Sequence, residues 1–245
     1  PAMVLPGADL DVSARRLIWG KGINAGQTCI APDHLLVDPS LKEDLLSCMD
    51  SARTAMYGED PLESDQLGQI INRRQFERLA ALLDTARADG RILIGGEINP
   101  DQQRIAPTVI QVHDRHDPLM AEEIFGPLLP VLELNDFDTA LAEIRQGPKP
   151  LALYLFGGTA REQQQTLETT SSGGVCFNDV VMQAGVPELP FGGVGASGMG
   201  SYHGRSGFET FSHAKSVLRR PFRFDFKLRY PPYGVDLNVL RRLAG

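Results

Sequence analysis

The chain has 245 residues, of which 42% are hydrophobic and 22% charged, an ordinary composition for a globular protein with ample core. A formal net charge of -7 argues against a nucleic-acid partner, and no run of eighteen apolar residues offers a membrane span. The three cysteines, Cys29, Cys48 and Cys176, are odd in number and widely spaced, with no CxxC pair; this argues against a disulfide framework or a metal site and points to a reducing cytoplasm. The opening Pro1-Ala2-Met3-Val4 lies already in an apolar run, so the expectation is a piece of a longer protein.

Asp9 is placed to cap a helix to about Asn24, with Leu10, Ala14, Leu17 and Ile18 on one face. His34-Leu35-Leu36-Val37 reads as a short buried strand ended by Asp38-Pro39. Ser40 with Glu43 predicts a capping box and a helix with Leu41, Leu45, Leu46 and Met49 inward. Asn72 with Gln75 predicts another, carrying Phe76, Leu79, Leu82, Leu83 and Ala86. Residues 92–94 and 108–110 read as strands, and Asp136 or Asp138 starts a helix with Ala140, Leu141 and Ile144. A strand over 151–156, a capping box of Thr159 and Glu162, and a strand over 174–177 follow. Strands alternating with helices predict an α/β fold: a parallel, Rossmann-like sheet with helices on both faces. The last thirty residues differ. They are rich in Lys and Arg, and Phe222, Phe224, Phe226 and Leu228 alternate with polar residues up to Pro231-Pro232. That pattern predicts a C-terminal β arm, read either as a pairing edge for another subunit or as a solvated basic edge. The expected organisation is a domain over 1–213 and an arm over 214–245.

Three stretches carry chemistry. Gly26-Gln27-Thr28-Cys29 puts a thiol on a loop between helix and strand, where a nucleophile has a backbone N–H free to face a reacting oxygen; position alone leaves a packing thiol open as well. Cys48 on a helix and Cys176 in a strand read as packing. Glu122-Glu123-Ile124-Phe125-Gly126-Pro127 offers a carboxylate for ribose hydroxyls and an aromatic face for a nicotinamide ring, although alone it reads more readily as a surface pair before a core Phe. Residues 190–200, Pro-Phe-Gly-Gly-Val-Gly-Ala-Ser-Gly-Met-Gly, hold five glycines within 192–200. No patterned strand enters the loop and no Lys-Ser/Thr follows, so it is read as a folded site-lining loop and not as a phosphate cradle.

In this order and spacing, the three stretches resemble the aldehyde dehydrogenase superfamily. Ser201-Tyr202-His203-Gly204, Gly207-Phe208-Glu209-Thr210-Phe211-Ser212-His213 and Arg229-Tyr230-Pro231-Pro232-Tyr233 are similar to its class 3 branch, bacterial coniferyl aldehyde dehydrogenases in particular. The resemblance implies that Cys29 is the nucleophile, with its N–H as half of an oxyanion hole. Glu123 would bind the ribose of NAD or NADP, and Phe125 would pack beside the nicotinamide. Gln27 would set the cysteine loop, and Asn178, Pro127, Phe191 and Gly193 would shape the site, with Val180, Val181 and Met182 toward substrate; Gln183 stands where mammalian relatives carry His. The implied reaction takes aromatic or medium-chain aldehydes to carboxylic acids through a thiohemiacetal and a thioester, in a homodimer. The resemblance also puts the general-base Glu, the second oxyanion donor and the cofactor domain upstream of Pro1, so the chain alone is expected to be inactive. Two other readings stand beside it: a Cys-His hydrolase in which His34 or His203 serves Cys29, and a non-catalytic protein with this fold.

Overall fold

The computed structural model describes residues 1–134, 136–225, 227–234 and 236–243, without the side chains of 228, 240 and 243. Within 1–211 the elements run β1 (Ala2–Val4), α1 (Leu10–Gly22), β2 (Leu35–Val37), α2 (Lys42–Tyr57), α3 (Arg73–Ala88), β3 (Ile92–Ile94), β4 (Ile98–Asn99), β5 (Arg104–Ile105), β6 (Thr108–Gln111), β7 (Leu128–Glu133), α4 (Phe137–Gln146), β8 (Ala152–Phe156), α5 (Ala160–Thr169), β9 (Gly174–Phe177) and α6 (Gly204–Thr210). Seven strands form one sheet in the order β3-β6-β7-β2-β1-β8-β9, and β4 pairs with β5 separately. Every pairing in the large sheet is parallel except β3 with β6.

Side-chain alternation divides the core. Ala2 and Val4 of β1 face α1 and α2 and join Leu17, Ile18, Leu45, Met49 and Tyr154. Met3, between them, faces the other way, where Phe76, Leu79 and Leu83 of α3 meet Leu141 and Ile144 of α4. Each fully buried side chain of this size contributes about 1.5–3 kcal/mol, which is why the helices lie flat on both sheet faces.

The caps at Asp9, Asn72 and Asp136 each accept the predicted backbone N–H, and Thr159 with Glu162 closes a complete capping box. The start of α2 differs from expectation. Asp38 accepts Ser40 N, and a 3-10 turn over Pro39–Leu41 leads into the helix, because the aspartate two residues ahead captures the N–H before Ser40 can cap. Strands β1 and β7 were not anticipated.

The chain divides into two compact units, Pro1–Phe211 and Ser212–Gly245. Among its described residues the second unit has no strand; it holds a 3-10 turn over Lys227–Arg229 and helix α7 (Leu237–Leu243). The expected β arm is therefore corrected. Alternation supplies two faces, but a strand also needs a partner edge for its N–H and C=O groups, and among the described residues of this unit no strand pairing is present. Phe226 and the side chain of Leu228, two members of that pattern, lie outside the described residues.

Candidate active site

Helix α1 stops because the next residues leave the right-handed region: Asn24 (φ 50°), Ala25 (φ 53°) and Gly26 (φ 73°) all have positive φ. The chain turns back, and the Gln27 side chain fixes the turn. Its amide donates to the carbonyls of Asn24 at 2.9 Å and Gln69 at 3.0 Å, and its oxygen accepts Ile71 N at 2.8 Å. Thr28 to Ala31 then form a turn closed by Ala31 N on Thr28 O at 2.9 Å. Cys29 sits at its corner and is exposed to solvent.

The second loop is held as firmly. Ile124 is a plug, 1% exposed. Its N–H donates to Asp33 Oδ1 at 3.1 Å, and its carbonyl accepts from Arg78 of α3, which also pairs with Glu122 at 3.1 Å. With the plug inserted, Glu123 and Phe125 on either side point outward; Phe125 is 41% exposed and has φ 48°. The two loops meet backbone to backbone: a Cβ on Gly26 would lie 2.2 Å from Gly126 O, a contact only glycine permits.

Cys29 and Glu123 line one cleft of about 500 Å³, together with Asp33, His34, Arg115 and Ser197. Leu151 and Ala152 at the start of β8 also line it, so the cleft opens at the amino ends of β2 and β8. Ligands of open α/β sheets ordinarily bind at the carboxyl ends. The thiol cleft lies at the opposite edge of the sheet.

Besides Gln27, which sets the cysteine turn, several sequence-predicted residues lie off this cleft wall. Phe125 points outward on the Glu123 loop. Asn178 (φ 57°) shapes the β8–β9 end, where its Oδ1 accepts Gly157 N at 2.8 Å and its N–H reaches Leu155 O at 2.7 Å. Phe191 bridges to Tyr202, edge to face at 5.5 Å, and stacks on His203 at 5.8 Å. Gly193 packs inside its own loop: a Cβ there would lie 2.0 Å from Ser197 O, and one on Gly192 2.1 Å from Gly200 O. These glycines fold the loop onto itself, and it presents Ala196 and Ser197 to the cleft. Val180 is a correction: it is fully buried and packs over Gly20, so it belongs to the core, whereas Met182 is 51% exposed.

The cleft lining is charged through Asp33, Arg115 and Glu123, and the buried Lys21 interacts with Asp33 and Glu123. Lys21 is 2% exposed, and burial pulls its ammonium down to about 8 against the attraction of Asp33 and Glu123. Burial, then the Asp33 charge, pushes the Glu123 carboxyl up, and Lys21 and Arg78 oppose this. Burial alone would raise Asp33, but the adjoining His34 ring, the Lys21 ammonium and the Ile124 N–H outweigh it and hold the carboxyl well below its usual range. Burial lowers His34 to about 4. Its Nδ1 stands 3.5 Å from Asp33 Oδ2 and neither ring nitrogen has a hydrogen-bond partner, so the pair is a contact between a carboxylate and a neutral ring. Asp33, Arg78 and Lys21 escaped the sequence reading.

A solvent-facing thiol on a pinned turn, set against a carboxylate loop at the amino edge of a parallel sheet, defines a domain built for cysteine chemistry. The aldehyde dehydrogenase family model matches residues 1–217, and the chain belongs to that family. It is 46% identical over 234 residues to human aldehyde dehydrogenase family 3 member B1, covering 95% of this chain and 49% of that protein. It is 44% identical, over 95% of this chain and 51% of the relative, to the mouse dimeric NADP-preferring aldehyde dehydrogenase. The solved structure of substrate-bound Staphylococcus aureus AldH superposes with a TM-score of 0.91 at 39% identity, covering all of this chain and 53% of that one. The chain spans about half the length of these relatives.

Proposed function

We propose that the chain is the thiol-bearing half of an NAD(P)-dependent aldehyde dehydrogenase that oxidises aromatic or medium-chain aldehydes to carboxylic acids. The observation that carries this reading is Cys29, exposed on a pinned turn and sharing one cleft with Glu123. The Cys29 thiolate attacks the aldehyde carbon, forming the C–S bond while the carbonyl electron pair moves to oxygen. The Cys29 N–H is one donor for that oxygen. After oxidation of the thiohemiacetal to a thioester, water adds to the acyl carbon, the C–S bond breaks, and the acid leaves with the thiolate restored. The outward Glu123 and Phe125 fit the ribose and ring of a nicotinamide nucleotide, and that group, when bound, supplies the hydride acceptor. The family resemblance implies a second oxyanion donor and a general base outside these residues; removing the first costs about 10²–10³ in rate and the second about 10²–10⁴, so the 245 residues alone should not turn over aldehyde measurably. The mouse relative, named as dimeric and NADP-preferring, supports a homodimer for the whole protein.

A hydrolase reading fares worse. His34 lines the cleft, but a ring with pKa about 4 is a weak base at neutral pH, and no hydrogen bond joins His34 or His203 to Cys29 among the described residues.

Two measurements test the proposal. Iodoacetamide should label Cys29 before Cys48 and Cys176, whose thiols burial pushes up. The complete reading frame should reduce NAD(P) with benzaldehyde or hexanal and lose that activity in Cys29→Ala, while the 245 residues alone stay silent. Equal labelling of the three thiols, or an active Cys29→Ala variant, refutes it.

A further inference from the structure

Tyr154 of β8 is 1% exposed, and its hydroxyl ends beside the Cys29 turn. It donates to Ile30 O at 2.5 Å. It accepts Val181 N at 3.2 Å and Gln183 Nε2 at 3.2 Å. A phenol has one proton and two lone pairs, so every site on this oxygen is used. Burial pushes the hydroxyl up to about 12, which keeps its proton in place at neutral pH. The proton goes to Ile30 O, so Gln183 must present its N–H₂ group; its Oε1 is then left buried without a partner. Val181 has φ 65°, a conformation β-branched residues rarely adopt, and its N–H is held by this same oxygen.

Ile30 adjoins Cys29 inside the Thr28–Ala31 turn. Residues 181–185 form a separate turn, closed by Ala184 N on Val181 O at 3.0 Å. We propose that the Tyr154 hydroxyl is a positioning group that locks the Cys29 turn to the 181–185 turn, so that the sulfur and the exposed Met182 beside that lock keep one relative placement. Tyr154 touches neither substrate nor reacting atoms in this scheme; it acts through Ile30. Its catalytic consequence rests on the reading of Cys29 as nucleophile, but the mechanical coupling does not.

Hydrogen exchange on the 245-residue chain tests the coupling directly. Tyr154→Phe keeps the ring in the core and removes only the hydroxyl. Peptides covering 28–33 and 180–185 should both lose protection, by about tenfold, the equivalent of one net hydrogen bond. Helix α3 should be unchanged. Gln183→Leu, which leaves the other two bonds intact, should loosen 180–185 while changing 28–33 by less than about twofold. In the unmutated chain the two peptides should open together, with one urea dependence. Loosening of one turn only, uniform loss across the chain, or different urea dependences in the unmutated protein would overturn the proposal. In the complete reading frame Tyr154→Phe should lower kcat about tenfold and leave KM for the nucleotide unchanged; an unchanged kcat overturns the positioning role. If the unmutated reading frame oxidises no aldehyde, the functional reading falls while the exchange result still decides the coupling.

Discussion

Gly26→Ala is the sharpest perturbation of the site, because it touches the place where the backbones of the two loops abut. Two costs can be separated. The first is conformational: Gly26 has φ 73°, and an L side chain in the left-handed region costs about 1–2 kcal/mol. The second is steric: a Cβ would sit 2.2 Å from Gly126 O, 2.4 Å from its carbonyl carbon and 2.9 Å from Pro127 N. Non-bonded heavy atoms rest near 3.5 Å, so the loops must part by about 1 Å, and overpacking of this kind costs about 1–3 kcal/mol. The expected total is about 2–5 kcal/mol. Gly90→Ala is the control. It has φ 68° with nothing within 4 Å of a built Cβ, so it carries the conformational cost alone. Urea unfolding of both variants gives the two losses, and the excess for Gly26→Ala should be at least about 1 kcal/mol. If the two lose equal stability, backbone contact does not join the loops and the reasoning is refuted.

Two further perturbations follow from the same geometry. Gln27→Leu strips partners from Asn24 O, Gln69 O and Ile71 N; at about 1 kcal/mol each it should cost about 3 kcal/mol in urea unfolding and speed exchange of the Ile71 amide, and unchanged stability would show that water replaces the amide. His34 makes stability depend on acid: the unfolded ring takes a proton near its ordinary 6.5 and the folded ring only near 4. Its contribution is therefore complete above pH 6.5 and is lost as pH falls to 4, by about 3 kcal/mol at about 1.4 per pH unit. Asp33, depressed below its usual range, adds a loss of the same sign at still lower pH. Unfolding at pH 7, 5.5 and 4 should show a shallower loss for His34→Gln than for the unmutated chain, and parallel losses would contradict the assignment.

Helix starts were legible because capping is local: Asn72, Asp136 and Thr159 each find their N–H three residues on. The exposed position of Cys29 was legible from its loop, and the folding of the glycine loop onto itself from its glycine density. Strand β7 was not, because Pro130 within it argues against a central strand. Burial of five of its six residues outweighs the ladder N–H that proline forfeits. Asp33, Arg78 and Tyr154 left no local signal. Their partners lie 91, 46 and 124 positions away, and no periodicity or spacing joins such positions before the chain is folded. Asn178 was identified by resemblance as shaping the site; its hydrogen bonds place it at the β8–β9 strand end.

The abutment of Gly26 on Gly126 contains no side chain at all. The spacing of the two loop backbones at this point is consequently set by main-chain thickness. Met120, Ile144 and Leu151 around the cleft can thus be exchanged to reshape it without touching this backbone contact.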